Sequence, residues 1–137
     1  MVNATNKTAL VTGAGGFVGC WVSAWVKARG FRVIGVDDYS SNGQRLLDMV
    51  DRSLIVDHFE QIDVCDLDRL KVVVERERPE VLLHFAGQAI VPEAHRNPFA
   101  TYRSNTLGVV AVLEMLREYE FCKTLLVATS DKVYVNY

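Results

Sequence analysis

The chain has 137 residues, 50% of them hydrophobic and 23% charged, with a formal net charge of −2. That length suits one domain, and a domain near this size buries roughly two thirds of the surface its unfolded chain exposes. Acids and bases are interspersed, so nothing suggests a nucleic-acid-binding face, and no apolar stretch reaches membrane-spanning length.

The opening residues, Met1 to Lys7, are polar and carry no apolar h-region or cleavage pattern, so no signal peptide is expected. Cys20, Cys65 and Cys122 are odd in number, far apart and set among apolar neighbours. This usage predicts reduced, mostly buried thiols in a cytoplasmic protein. His58, His84 and His95 have no ligand spacing with one another or with cysteine, and no metal is expected.

Residues 8–12 read as a first strand, followed by Thr12-Gly13-Ala14-Gly15-Gly16-Phe17-Val18-Gly19. Glycines between a strand and a helix let the backbone turn tightly and approach a bound group. The helix N-terminus then offers unpaired N–H donors and partial positive charge to a diphosphate. A bare glycine pattern also marks ordinary turns, but the apolar run before it and the helical pattern after it favour dinucleotide binding. From Phe17, the apolar residues Val18, Trp21, Val22, Trp25 and Val26 recur at three- and four-residue spacing. The spacing predicts one helical face and puts both tryptophans in the core. Gly30 closes that helix, and residues 31–36 form a second strand.

The second strand ends in Asp37-Asp38, about twenty residues beyond the glycine turn. A carboxylate there accepts from the adenosine ribose hydroxyls and repels a 2′-phosphate. The next residues, Tyr39, Ser40, Ser41 and Asn42, bring no cation to offset it. The pattern favours NAD over NADP; the plain alternative is a solvated acidic turn.

Residues 42–50 predict a short helix, residues 53–63 contain a third strand, and residues 67–78 form a helix stopped by Pro79. Residues 81–85, apolar but for His84, are a short strand of the buried parallel type. His84, ending that strand, is expected to be hydrogen-bonded in the core. Asn97-Pro98 supplies an N-cap and a proline at the first helical position. That helix runs to about Tyr119, and residues 124–129 form a fifth strand. Such alternation implies right-handed crossovers and an α/β fold, a doubly wound parallel sheet with helices on both faces. The expected strand order is 3-2-1-4-5, with the ligand crevice beside the first strand, where the order reverses.

Several segments in register resemble the extended short-chain dehydrogenases/reductases of the nucleotide-sugar epimerase and dehydratase type. They are Gly13-x-x-Gly16-x-x-Gly19 with Phe17, Asp37 after the second strand, and Asp63-Val64 after the third. His84-Phe85-Ala86-Gly87-Gln88 follows at the fourth, Asn105 and Gly108 on the next helix, and Ser130-Asp131-Lys132-Val133-Tyr134 after the fifth. The resemblance covers essentially the whole chain and implies a Rossmann-like NAD-binding domain over residues 1–137. It places dinucleotide contacts on Phe17 and Val18 and lays residues 37–42, Asp38 included, along the ribose. Asp63 and Val64 would flank the adenine, the aspartate accepting from its exocyclic amine. Phe85, Ala86 and Gly87 would line the cofactor beyond the diphosphate, where a small residue permits close approach. Asn105 would reach the same neighbourhood from its helix.

In this family the Ser130 position bonds the sugar's 4-hydroxyl, and the next two positions separate epimerases from 4,6-dehydratases. The dehydratases place an acid and a base there. They oxidise C4 by hydride transfer to NAD, remove the C5 proton, expel the C6 hydroxyl as water and return the hydride to C6. The resemblance makes Asp131 the acid and Lys132 the base; an ammonium serves as base only if desolvation or a nearby cation depresses its pKa. The Asp-Lys pair, with Cys20-Trp21-Val22-Ser23-Ala24-Trp25, is similar to the CDP-glucose 4,6-dehydratase branch. A nucleotide-sugar 4-epimerase and a stand-alone, non-catalytic NAD-binding module are the alternatives.

The family also uses a Tyr-x-x-x-Lys pair on the helix after the fifth strand. The string Tyr119-Glu120-Phe121-Cys122-Lys123 precedes that strand and is expected at the wrong end of the sheet, and Tyr137 is the last residue. The expectation is therefore a chain truncated after strand 5, inactive alone, with an exposed edge strand that favours self-association. The full-length parent is expected to be a cytoplasmic homodimer acting on a nucleotide sugar.

Overall fold

A computed structural model describes residues 7–39 and 46–130 of the protein. Five strands, β1 (Thr8–Thr12), β2 (Arg32–Asp37), β3 (His58–Gln61), β4 (Val81–His84) and β5 (Thr124–Val127), form one parallel sheet. Their spatial order is β3-β2-β1-β4-β5, as the alternation predicts. Leu10 of β1 sits in register with Ile34 of β2 and Leu82 of β4. These central strands read as unbroken apolar runs because both faces of the sheet are covered.

Successive side chains on a strand point to opposite faces, and that alternation divides the core in two. Leu10, Ile34, Val36 and Leu82 pack with Leu70, Val73 and Val74 of α3 (Leu67–Glu77) and Val112 and Met115 of α6 (Gly108–Leu116). Ala9, Val11, Val33 and Leu83 pack with Cys20 and Val26 of α1 (Phe17–Lys27) and Leu47 of α2 (Leu46–Met49). Residues 42–45, the start of the helix predicted over 42–50, lie outside the described residues.

Two expectations need correction. Trp21 and Trp25 are 59% and 57% exposed, while α1 turns Gly19, Cys20, Ser23 and Val26 to the sheet. The helix carries an apolar stripe on each of two sides, and the side with small residues is the one that fits closely against the strands. Arg29 instead lies over the Trp25 ring, 3.2 Å from its centroid. The second correction concerns the single helix expected from Asn97 to about Tyr119. A helix α4 (Val91–Arg96) precedes it, and the span itself divides into α5 (Pro98–Tyr102), a π-helical turn (Arg103–Leu107) and α6. Asn97, at φ −135°, ends α4 and caps α5, its side chain accepting from the Ala100 N–H at 3.3 Å.

The amino ends of the strands carry ion pairs. Lys7 meets Glu80 at 3.8 Å, Arg32 meets Glu77, and Lys27 meets Asp57, which also accepts from the Val33 N–H at 2.8 Å.

Candidate functional site

The carboxyl ends of the strands face a cleft of about 900 Å³. Its floor is the β1–α1 turn. Gly13 has φ +70°, and the Gly16 N–H bonds back to its carbonyl at 3.0 Å. A Cβ on Gly13 would stand 2.6 Å from the Ala86 nitrogen, and one on Gly19 would stand 2.0 Å from the Gly13 carbonyl oxygen. Gly16 caps α1 without a side chain, and the first turn holds no acidic residue. The first N–H groups of a helix lack intrahelical acceptors and favour an anion. The turn therefore fits a diphosphate. Phe17 and Val18 begin the helix with exposed side chains, and Gly19 is buried beneath the turn.

Asp37 closes β2 at the rim. Its Oδ2 accepts from the Gly15 N–H at 2.9 Å and its Oδ1 from the Tyr39 N–H at 2.8 Å. Tyr39 adopts a left-handed φ of 57° and packs its ring on Phe59, centroids 5.0 Å apart. A non-glycine residue in that region is uncommon, and here the hydrogen bond to Asp37 and the ring contact with Phe59 hold it. Asp38 also lines the cleft. Ser40, Ser41 and Asn42 lie outside the described residues.

Asp63 and Val64 leave β3 on the same side and line the cleft. Burial works against a charged Asp63, but the Cys65 N–H at 2.8 Å and the Arg103 guanidinium at 2.5 Å outweigh it and hold the carboxyl below its ordinary range. Arg103 enters from the π-helical turn and is a residue the sequence reading missed; nothing in the local sequence pairs it with a position 40 residues earlier.

At the exit of β4, Phe85, Ala86 and Gly87 line the cleft beside Gly13. The Phe85 N–H donates to the Thr12 carbonyl at 3.0 Å and the Ala86 N–H to the Thr12 hydroxyl at 3.3 Å. That hydroxyl is also hydrogen-bonded to Nδ1 of His84 at 2.7 Å. His84 is 1% exposed, and burial pushes its pKa down, so the ring is neutral and structural. Thr12 is a second residue read only as strand. Asn105 does not project freely into the cleft. Its Oδ1 accepts from the Gln88 N–H at 2.6 Å and its Nδ2 donates to the Gln88 carbonyl at 2.9 Å, fixing the loop after β4.

Ser130 is exposed just beyond β5, while Asp131 and Lys132 lie outside the described residues. The Tyr119 hydroxyl donates to Glu75 at 2.7 Å, and that bond pushes its pKa up to about 12. The Lys123 N–H bonds the Glu80 carbonyl at the amino end of β4. That tyrosine–lysine string therefore sits away from the cleft.

A parallel doubly wound sheet with a glycine turn opening on a helix N-terminus defines a Rossmann-like nucleotide-binding fold. Residues 9–136 match the model of the NAD dependent epimerase/dehydratase family, and the chain belongs to that family. It is 31% identical to CDP-glucose 4,6-dehydratase of Salmonella typhimurium over 131 residues, covering 95% of this chain and 36% of the relative. It is 29% identical to UDP-glucose 4-epimerase 2 of Arabidopsis thaliana over 133 residues, covering 93% of this chain and 37% of the relative. The structure resembles UDP-glucose-4-epimerase from Stenotrophomonas maltophila with bound NAD and formylated UDP-arabinopyranose. The TM-score is 0.84 at 25% identity, over 96% of this chain and 39% of that one. UDP-glucose 4-epimerase from Bifidobacterium longum in complex with NAD+ and UDP gives 0.81 at 26% identity, over 93% and 38%. The chain thus spans between 36% and 39% of the length of these relatives. The family is NAD-dependent.

Proposed function

We propose that residues 1–137 form the NAD-binding domain of a nucleotide-sugar 4,6-dehydratase whose substrate resembles CDP-glucose. The observation that carries NAD binding is the Asp37 carboxylate, held at the glycine turn by the Gly15 N–H. It leaves a fixed negative charge where a 2′-phosphate would otherwise sit. Gly13, Gly16 and Gly19 shape the turn, and the N–H groups of Phe17 and Val18 take the diphosphate. Asp37 and Asp38 bond the ribose, Asp63 and Val64 hold the adenine, and Phe85, Ala86 and Gly87 line the nicotinamide half. Asn105 serves by holding the loop after β4. NAD, when bound, supplies a hydride acceptor to the sugar ring.

Ser130 bonds the sugar hydroxyl, Asp131 gives a proton to the departing hydroxyl, and Lys132 removes a proton from the neighbouring carbon. The sequence Ser130-Asp131-Lys132 and the 31% identity to a CDP-glucose 4,6-dehydratase support this assignment. The 29% identity to a UDP-glucose 4-epimerase supports 4-epimerisation as the second reading. The whole protein on this reading is a cytoplasmic homodimer. Calorimetric titration with NAD and NADP tests the cofactor: NAD binds, NADP binds at least tenfold more weakly, and Asp37→Ala erodes the difference. Equal affinity for both would overturn it. Incubating the protein with CDP-glucose and NAD separates a 4-keto-6-deoxy product from a 4-epimer.

A further inference from the structure

Asp63 owes its setting to a residue 40 positions away. The π-helical turn and the start of α6 pack against the exit of β3 through three contacts. The Arg103 guanidinium meets Asp63 Oδ2 at 2.5 Å, the Cys65 thiol donates to the Arg103 carbonyl at 3.3 Å, and Gly108 allows Val64 to approach closely. The Cys65 N–H occupies Asp63 Oδ1. Both carboxylate oxygens are thus oriented by donors on different elements, and each keeps a lone pair for a further donor. Asp63 and Arg103 side chains are 34% and 43% exposed, on the wall of the cleft.

We infer that Arg103 is the positioning residue of the adenine subsite, aiming the Asp63 carboxylate at the exocyclic amine of the base. The inference rests on the NAD-binding reading. Half-buried as it is, Asp63 without Arg103 swings about the single Cys65 hydrogen bond, and a charged, directed acceptor becomes a loose one. Hydrogen bonds to charged groups are the stronger kind, so losing that direction is expected to weaken adenine binding.

The test is calorimetric titration of the chain with ADP-ribose and with NAD, for wild type, Arg103→Gln, Arg103→Lys, Asp63→Asn and the Asp63→Asn/Arg103→Gln pair. Arg103→Gln is expected to weaken both ligands about five- to tenfold, less than the loss of a whole hydrogen bond to a charged group, because the Asp63 acceptor is loosened and not removed. Arg103→Lys keeps the charge and recovers most of the loss. In the Asp63→Asn background, Arg103→Gln changes affinity less than twofold, because the group it positions is gone. Equal losses in the Gln and Lys variants, an undiminished loss in the Asp63→Asn background, or tighter binding by Arg103→Gln would each overturn the inference. Wild type binding neither ligand would instead sink the NAD reading, and this inference with it. Should Arg103→Gln lose its cooperative melt, Arg103→Met keeps the aliphatic stem packed and takes its place.

Discussion

At the amino ends of the strands, Glu80 and the largely buried Glu77 meet Lys7 and Arg32, whose long side chains are half in water. At the carboxyl ends, Asp37 meets the backbone N–H groups of Gly15 and Tyr39, and Asp63 meets that of Cys65. Exposed pairs between flexible chains lose entropy on forming, are screened by salt and contribute little. A carboxylate held by backbone donors is fixed in direction as soon as the chain folds. The two ends of one sheet therefore use the same chemical group differently: at the amino ends each carboxylate, Asp57 with its Val33 N–H bond included, is matched to a lysine or arginine, while at the carboxyl ends Asp37 is held by backbone donors as a preset acceptor.

The hardest break is Gly19→Ala. Its Cβ would meet the Gly13 carbonyl oxygen at 2.0 Å, so the turn must open, at about 2–4 kcal/mol of stability. NAD binding measured by calorimetry should disappear with it. Next comes Thr12→Val, which leaves His84 Nδ1 and the Ala86 N–H without their shared hydroxyl. Denaturant unfolding should register a loss of about 1–3 kcal/mol.

Acid gives a smaller effect with a definite sign. Burial depresses the folded pKa of His84, so the unfolded chain takes up the proton first. Its contribution is complete above an ordinary histidine pKa of about 6.5 and is lost as pH falls below that value. Unfolding curves between pH 7.5 and 5 should show stability falling toward acid, and His84→Asn should flatten the slope; stability rising toward acid would contradict the assignment. The lowered carboxylates Asp57, Asp63 and Glu77 act with the same sign, in a window beginning near pH 4. Smallest is Lys27→Met at the amino ends, where the pair with Asp57 should be worth under about 1 kcal/mol and less in high salt. A loss as large as that of Thr12→Val would erase the distinction between the two ends.

Strand order and the glycine turn were legible because each follows from a local pattern, the strand–helix alternation and glycine between two elements. The tryptophans on α1 were not, since 3.6-residue spacing tells which residues share a face but not which face the sheet takes. On α1 the sheet takes the side with Gly19, Cys20 and Ser23, where small side chains permit close approach. The break at Asn97 was read as a start and missed as an end because a capping asparagine serves both helices. Thr12 and Arg103 act across 72 and 40 positions, and no spacing rule reaches that far. Asp37 was placed by its distance from the glycine turn alone, yet its bond to Gly15 appears only when β1 and β2 lie side by side.

Gly108 has a consequence for the shape of the cleft where β3 ends. An added Cβ there would stand 2.9 Å from Val64 Cγ1, so the missing methyl sets the gap between α6 and the exit of β3. It acts as a gauge block: the width of that end of the cleft is written in an absent atom group, and a larger residue would retune it without touching any polar contact.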